Sequence, residues 1–84
     1  MTDDFESAVA AVPLLTKDPG SQVKLALYAL YKQATVGDVS GKRPGFTDLV
    51  GRAKYDAWAA LSGTPTEEAR AGYVAKVAEL QAAE

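Results

Sequence analysis

The sequence predicts an all-α protein with four helices, and three observations support this. Apolar residues recur three and four positions apart, no segment alternates apolar and polar residues as a strand does, and Gly and Pro mark breaks between helical segments. The 84 residues form a single predicted domain, residues 1–84, near the lower size limit for one hydrophobic core without staples. We therefore expect most apolar side chains to be used in packing.

The first helix is predicted to start at Thr2, with two Asp residues in its first turn, where carboxylates favour the helix dipole. One face carries apolar residues: Phe5, Val9 and Val12. Pro13 lacks a backbone N–H and disfavours helical geometry at the residue before it, so we expect a kink or an early end there. Two leucines after it are expected to pack nonetheless: Leu14 and Leu15. Residues 17–21, KDPGS, are a predicted turn.

The second helix is predicted over residues 21–36, ending at Gly37 as a left-handed cap. Helical spacing gives it a core stripe: Val23, Ala26 or Leu27, Leu30 and Ala34. A second stripe is aromatic and basic: Lys24, Tyr28, Tyr31, Lys32 and Thr35. Residues 37–46 contain three glycines and one proline and are predicted to form a long loop.

The third helix is predicted to begin near Thr47 or Asp48 and to stop at Gly63, burying five residues: Leu49, Ala53, Ala57, Trp58 and Leu61. The fourth helix has the strongest start signal, with Thr64 as N-cap, Pro65 at the first position and Glu67 completing a capping box. Its apolar positions are expected to face the apolar stripe of the first helix: Tyr73, Val74, Val77 and Leu80.

Basic residues are concentrated in residues 24–54, which hold six Lys or Arg against two Asp, a local balance of +4 where the whole chain has −2. This asymmetry indicates an anionic partner of limited size. General binding of DNA or RNA is not expected, because neutralising a nucleic-acid backbone needs many more basic residues.

The chain contains neither Cys nor His, which removes thiolate nucleophiles, imidazole bases and the usual zinc ligands. We therefore expect no catalytic activity, no metal site and no cofactor. The acidic start, MTDDFES, is not followed by a long apolar run, and no stretch approaches the ~18 apolar residues of a membrane span. These features predict a soluble, cytoplasmic protein.

The aromatic and basic stripe has two interpretations. Tyr28 and Lys32 are four residues apart and can be a simple surface pair whose apolar stems lie along the helix. A binding site is favoured by Lys54 and Tyr73 on other helices and by the basic loop, since tyrosines offer a stacking face and a hydroxyl while lysines offer charge to phosphate. Two further aromatic residues are expected to be core or half-core: Tyr55 and Trp58.

Three segments together resemble the acyl-CoA-binding protein family: YALYKQATVGD at residues 28–38, RPG at residues 43–45 and AKYDAW at residues 53–58. The similarity extends over nearly the whole chain. It implies a four-helix bundle in up-down-down-up order, with a bowl-shaped site for the nucleotide of coenzyme A and its acyl chain. It also implies a monomeric carrier and pool former of medium- to long-chain acyl-CoA esters, and not an enzyme.

The resemblance implies roles for five residues. Tyr28, Lys32 and Lys54 would hold the 3′-phosphate of the adenosine. Tyr31 would lie against the adenine and ribose, and Tyr73 would complete the nucleotide pocket.

Two positions depart from the family pattern: Pro13, where many members have Lys, and Tyr55, commonly Trp. Lys24 stands where the acyl groove often has an apolar residue, and Leu25 and Leu27 are the other candidates to touch the acyl chain. The rival hypothesis is a helical interaction module that uses the aromatic and basic stripe and the loop at residues 37–46 to bind an acidic protein partner.

Overall fold

The computed structural model describes residues 3–84, and within them the chain forms four α-helices, one 3₁₀ turn and no strand. The helices are α1 (Asp4–Ala11), α2 (Ser21–Thr35), α3 (Leu49–Ala59) and α4 (Thr66–Ala82). α2 packs against both α3 and α4, and α4 also packs against α1. The predicted all-α class and the four helices are confirmed, and no helix in the described part of the chain is long and apolar enough to cross a membrane.

Helix α1 begins one residue after Asp3, whose carboxylate caps it by accepting a hydrogen bond from the backbone N–H of Glu6 at 2.7 Å. The predicted start at Thr2 lies outside the described residues. Pro13 sits in the 3₁₀ turn (Val12–Leu14), so the predicted early end is confirmed. The prediction that Leu14 packs is wrong: it is 77% exposed, because the helix ends before it and it no longer follows the core face, whereas Leu15 is half-buried.

The core lies between α1, α2 and α4. Its buried members come from all three helices: Phe5, Ala8, Leu27, Ala34, Ala69, Tyr73 and Val77. Partly buried residues on α1 and α4 pack around them: Val9, Val74 and Leu80. The predicted contact between the apolar stripes of the first and fourth helices is therefore confirmed.

Helix α3 has Asp48 as its N-cap, with the carboxylate accepting from the N–H of Gly51 at 3.0 Å. Trp58 is buried, as predicted, but the prediction that Leu49 is buried is wrong, since Leu49 is 69% exposed and the adjacent Val50 is 67% exposed. The reason is architectural. α3 makes its extensive helix contacts with α2, and no other helix packs extensively on α3 to cover Leu49.

The capping box predicted for the fourth helix is not formed. α4 begins at Thr66 with Pro65 in the N-cap position and no side-chain cap hydrogen bond. Thr64 belongs to the preceding turn, because its N–H donates to the carbonyl of Leu61 at 2.9 Å and its own carbonyl accepts from Gln33 Nε2 at 2.8 Å. Gln33, which the sequence did not single out, is 1% exposed.

Side chains fasten the loop between α2 and α3 to the bundle. Trp58 Nε1 donates to the carbonyl of Gly37 at 2.7 Å, and the Tyr55 hydroxyl donates to the carbonyl of Gly41 at 3.0 Å. Arg43 forms a bidentate pair with Asp56 at 2.8 and 2.7 Å. The loop is thus held against α3 at three points along its length.

Candidate functional site

An apolar groove of about 360 Å³ lies between α2 and α3. Four sequence-predicted site residues line it, two of them basic: Lys24, Leu25, Tyr28 and Lys54. The remaining lining comes mainly from the first turns of α3: Ser21, Leu49, Val50 and Ala53. Leu49 and Val50 are exposed to solvent because they form the outer wall of this groove.

Tyr28 on α2 and Lys54 on α3 meet at the side of the groove. Lys54 Nζ lies 5.5 Å from the centroid of the Tyr28 ring, a cation–π distance. Lys54 is exposed and Tyr28 is half-buried, so the ammonium and the phenol hydroxyl both remain available to an anion. The contact joins two residues that are far apart in sequence and that the family resemblance assigns to the same phosphate.

Lys32 lies one helical turn beyond Tyr28 on α2 and is not part of the groove wall. Its Nζ is 4.9 Å from the centroid of the Trp58 ring, and its side chain is half-buried against α3. Two lysines, one from α2 and one from α3, are thus each placed over an aromatic ring. Their ammonium groups form a local positive region at the α2–α3 contact.

Tyr31 and Tyr73 belong to a separate aromatic cluster with Phe5. The Phe5 ring stacks on Tyr31 with centroids 6.0 Å apart and meets Tyr73 edge-on at 5.3 Å. Tyr31 is 40% exposed, whereas Tyr73 is only 5% exposed. Burial raises the pKa of the Tyr73 hydroxyl, with a smaller contribution from Tyr31. Tyr73 therefore stays a neutral phenol at physiological pH.

Arg70 on α4 covers this cluster from outside. Its guanidinium carbon lies 4.8 Å from the Phe5 centroid, and Arg70 also lines a depression of about 380 Å³ together with Phe5 and Tyr31. The five predicted nucleotide-binding residues therefore lie on two different sides of α2, three of them on α2 itself and the other two on α3 and α4. Tyr28, Lys32 and Lys54 lie on the side toward α3, and Tyr31 and Tyr73 on the side toward α1 and α4.

Lys24 and Leu27 occupy different surroundings although both were acyl-groove candidates. Leu27 is 5% exposed and belongs to the core, where it clusters with buried residues of α1 and α4. Lys24 remains at the groove, and its Nζ pairs with Asp18 at 3.2 Å. The N–H of Gly20 and then the Lys24 ammonium lower the pKa of the Asp18 carboxyl.

Comparison with known proteins identifies the family. The family model described as Acyl CoA binding protein matches residues 2–77. The chain belongs to the acyl-CoA-binding protein family. Its curated relatives include the acyl-CoA-binding protein of Brassica napus, 46% identical over 84 residues, which cover 100% of this chain and 91% of that protein. Another is enoyl-CoA delta isomerase 2 of Rattus norvegicus, 56% identical over 77 residues.

The matched segment covers 92% of this chain but only 20% of the length of that isomerase. Among solved structures, Oryza sativa acyl-CoA-binding protein 2 superimposes with a TM-score of 0.91 at 44% identity, covering 95% of this chain and 89% of that one. The acyl CoA binding protein of Babesia bovis gives 0.80 at 41% identity, with coverages of 96% and 93%. This likeness confirms the four-helix bundle and the up-down-down-up order that the acyl-CoA-binding protein resemblance implied.

Sequence reasoning missed four lining residues of the groove: Ser21 on α2, and Leu49, Val50 and Ala53 on α3. It placed Leu49 and Ala53 in the core and gave Val50 no role. The adjacent apolar pair at residues 49 and 50 was the available signal, because neighbouring helix residues point about 100° apart and extend the apolar surface beyond a single packed stripe. Within residues 3–84, no group of three or more acidic side chains is arranged to hold a metal ion.

Proposed function

We propose that this chain binds medium- to long-chain fatty acyl-CoA esters with high affinity and acts as an acyl-CoA carrier and pool former. Membership of the acyl-CoA-binding protein family supports the ligand class. The observation that carries the proposal is the apolar groove between α2 and α3 with Tyr28 and Lys54 at its side. A cytoplasmic location and a monomeric state stay predictions from the sequence.

The groove suits an acyl chain because most of its wall is hydrocarbon. Leu49 and Val50 are more than two-thirds exposed, and Leu25 and Ala53 are half-buried behind them. A methylene that leaves water for such a surface gains about 0.8 kcal/mol. An acyl chain in the groove removes its own surface and that of the groove wall from water. Bare coenzyme A therefore binds far more weakly than its long-chain esters.

The basic residues suit the phosphates of coenzyme A. We assign the 3′-phosphate to Tyr28, Lys32 and Lys54, and the adenine and ribose to Tyr31 with Tyr73 completing the pocket. Hydrogen bonds to a charged group contribute about 1.5–3 kcal/mol each, enough to select coenzyme A esters over free fatty acids. Tyr73 is buried beneath Tyr31 and Phe5, so its contribution is to support the exposed ring of Tyr31.

Binding without catalysis fits the side chains that are present. The groove offers lysine, tyrosine and serine, and the chain has no His or Cys to serve as a base or nucleophile. The name of the isomerase relative refers to a protein about five times the length of the matched segment. Incubating this chain with palmitoyl-CoA and measuring free coenzyme A checks the point; steady release of coenzyme A contradicts it.

The rival interpretation, docking of an acidic protein on the aromatic and basic stripe, gains no supporting observation.

Calorimetric titration with palmitoyl-CoA tests the proposed function through Lys32→Ala and Lys54→Ala. We expect each variant to lose about 1.5–3 kcal/mol of binding free energy, a roughly 10- to 150-fold weaker Kd, because each removes a charge-assisted phosphate contact. Lys76→Ala, the same change on α4, serves as the control and keeps wild-type affinity. Circular dichroism checks that all three variants retain the helical fold.

A ligand that lacks the 3′-phosphate separates the phosphate contacts from the acyl contacts. It binds more weakly than palmitoyl-CoA to the wild type, and the two lysine substitutions then cost little further. If both ligands bind equally well, or if Lys32→Ala and Lys54→Ala both keep wild-type affinity, the assignment of these residues to the phosphate is wrong.

A further inference from the structure

Two neighbouring depressions on the surface of α2 share one lining residue in the described part of the chain, and that residue is Lys24. The first is the apolar groove against α3. The second, of about 300 Å³, lies toward the turn between α1 and α2 and has four apolar wall residues: Val12, Leu15, Pro19 and Leu27. Lys24 therefore stands between two regions that each present hydrocarbon.

The Lys24 ammonium is held at this boundary by a second charged group. Its Nζ pairs with Asp18 at 3.2 Å, and Asp18 is itself fixed by accepting from the N–H of Gly20 at 2.8 Å. The two side chains remain 60% and 70% exposed, so both charges keep much of their hydration. An alkyl chain crossing this boundary has to strip water from an ammonium and a carboxylate without replacing it, which is unfavourable.

We propose that the Lys24–Asp18 ion pair is a stop that sets the longest acyl chain this protein accommodates in full. The proposal rests on the proposed function, because it places the acyl chain in the groove between α2 and α3. Methylenes that fill the groove are buried, and each adds about fourfold to the affinity. Methylenes beyond Lys24 stay in water and add nothing. The second depression is then closed to the ligand although its wall is partly apolar.

The test is the dependence of Kd on acyl length, measured with even-numbered acyl-CoA esters from C8 to C20 for the wild type and Lys24→Met. Methionine keeps an unbranched side chain of similar length and removes the charge. We expect the wild-type affinity to stop rising at one length and that of Lys24→Met to go on rising for at least two further methylenes. The longest esters then bind the variant about 15-fold more tightly relative to the wild type.

Three further variants separate the stop from a general charge effect. Lys24→Arg keeps the charge and is expected to keep the wild-type plateau. Asp18→Asn removes the carboxylate that pairs with the Lys24 ammonium but keeps the ammonium itself. We expect it to shift the acyl length at which the affinity stops rising by less than Lys24→Met does. Lys42→Met removes one positive charge from an exposed position on the loop between α2 and α3 and leaves the plateau unchanged.

The outcomes separate failure of the stop from failure of the proposed function. Identical plateaus for the wild type and Lys24→Met overturn the stop, while an affinity that rises with chain length in both still supports acyl-CoA binding. A plateau that moves equally in Lys42→Met also overturns it, because the cause is then net charge. Absence of binding to the wild type at every chain length overturns both proposals.

Discussion

Gln33 shows how one buried polar residue connects three parts of the chain. It lies on α2 with 1% of its surface exposed, and its Nε2 donates to Asp38 Oδ1 and to the carbonyl of Thr64, both at 2.8 Å. Asp38 Oδ1 also accepts from the N–H of Gly63 at 2.8 Å. The loop after α2 and the turn before α4 are thereby joined at a single amide group.

Replacing Gln33 with Met is expected to destabilise the protein by about 1–3 kcal/mol. Methionine fills a similar volume, so the loss comes from leaving the part-buried carbonyl of Thr64 without its donor and removing the hydrogen bond to Asp38. Urea unfolding followed by circular dichroism measures the change. Gln22→Met at an exposed position on the same helix is the control. A free energy of unfolding within 0.5 kcal/mol of wild type, on the order of a neutral surface substitution, contradicts this role.

In helix α3 the N-cap carboxylate of Asp48 occupies the space that a side chain at Gly51 would need. Gly51 lies in the first turn of α3, and within a helix Ala is ordinarily more stabilising than Gly by about 0.5–1 kcal/mol. A Cβ built on Gly51 overlaps the Asp48 carboxylate that accepts from the Gly51 N–H. The glycine therefore allows the carboxylate to lie close to the backbone of the first turn. The first turn of α3 carries Leu49 and Val50, so this cap also supports the outer wall of the groove.

We expect Gly51→Ala to stabilise the wild type by less than it stabilises the Asp48→Ala variant, because in the wild type the added methyl displaces the cap. Asp48→Ala alone is expected to cost about 1 kcal/mol. The four proteins of this double-mutant cycle, compared by urea unfolding, give the coupling energy directly. If Gly51→Ala changes the free energy of unfolding equally in the wild type and in Asp48→Ala, the Asp48 carboxylate can move to make room for the methyl group without losing its cap, and the expectation is wrong.

At the scale of the whole molecule, carboxylates tie loops and ends to the helices. The Glu84 carboxylate accepts from the backbone N–H groups of Thr16 and Lys17, the second at 2.9 Å, which joins the end of α4 to the turn after α1. The N–H of Lys17 lowers the pKa of the Glu84 carboxyl most strongly, the N–H of Gly63 that of Asp38, and the Arg43 guanidinium that of Asp56.

Because these carboxyls have lower pKa values in the folded protein than in the unfolded chain, their contribution to stability is complete above the unfolded values of about 4 and is lost as the pH falls through the folded values. We expect the free energy of unfolding to fall from pH 5 toward pH 3. Arg43→Gln removes the main cause of the lowered pKa of the Asp56 carboxyl, so this variant loses less stability between pH 5 and pH 3. Lys42→Gln, the same charge change at the adjacent residue, is the control.

Urea unfolding at pH 7, 5, 4 and 3 provides the curves. The expected result is that the wild type and Lys42→Gln have the same acid dependence and that Arg43→Gln has a shallower one. If Arg43→Gln and the wild type lose stability in parallel, the pair between Arg43 and Asp56 is not formed in solution.

The sequence by itself determined the number of helices, the breaks at Pro13 and Gly37, and the family. It also placed Gly63 between the third and fourth helices, but α3 ends at Ala59, before the predicted stop. Helical spacing, proline geometry and glycine's access to positive φ are local properties, and Gly37 and Gly63 do have φ of 97° and 92°. The contact between α1 and α4 also followed from local patterns, since each helix has one apolar face.

Only the tertiary structure decided which apolar and polar side chains are covered. Leu49 and Leu14 are exposed, and Gln33 is buried, because burial depends on where neighbouring helices lie and not on residue type. The fourth helix begins at Thr66 and not at Thr64, and the Thr64 carbonyl accepts a hydrogen bond from Gln33 Nε2 instead of from the helix backbone. The same holds for the site. Lys24 and Leu27 are three residues apart, yet the positions of α3 and α1 place one beside the groove and the other in the core.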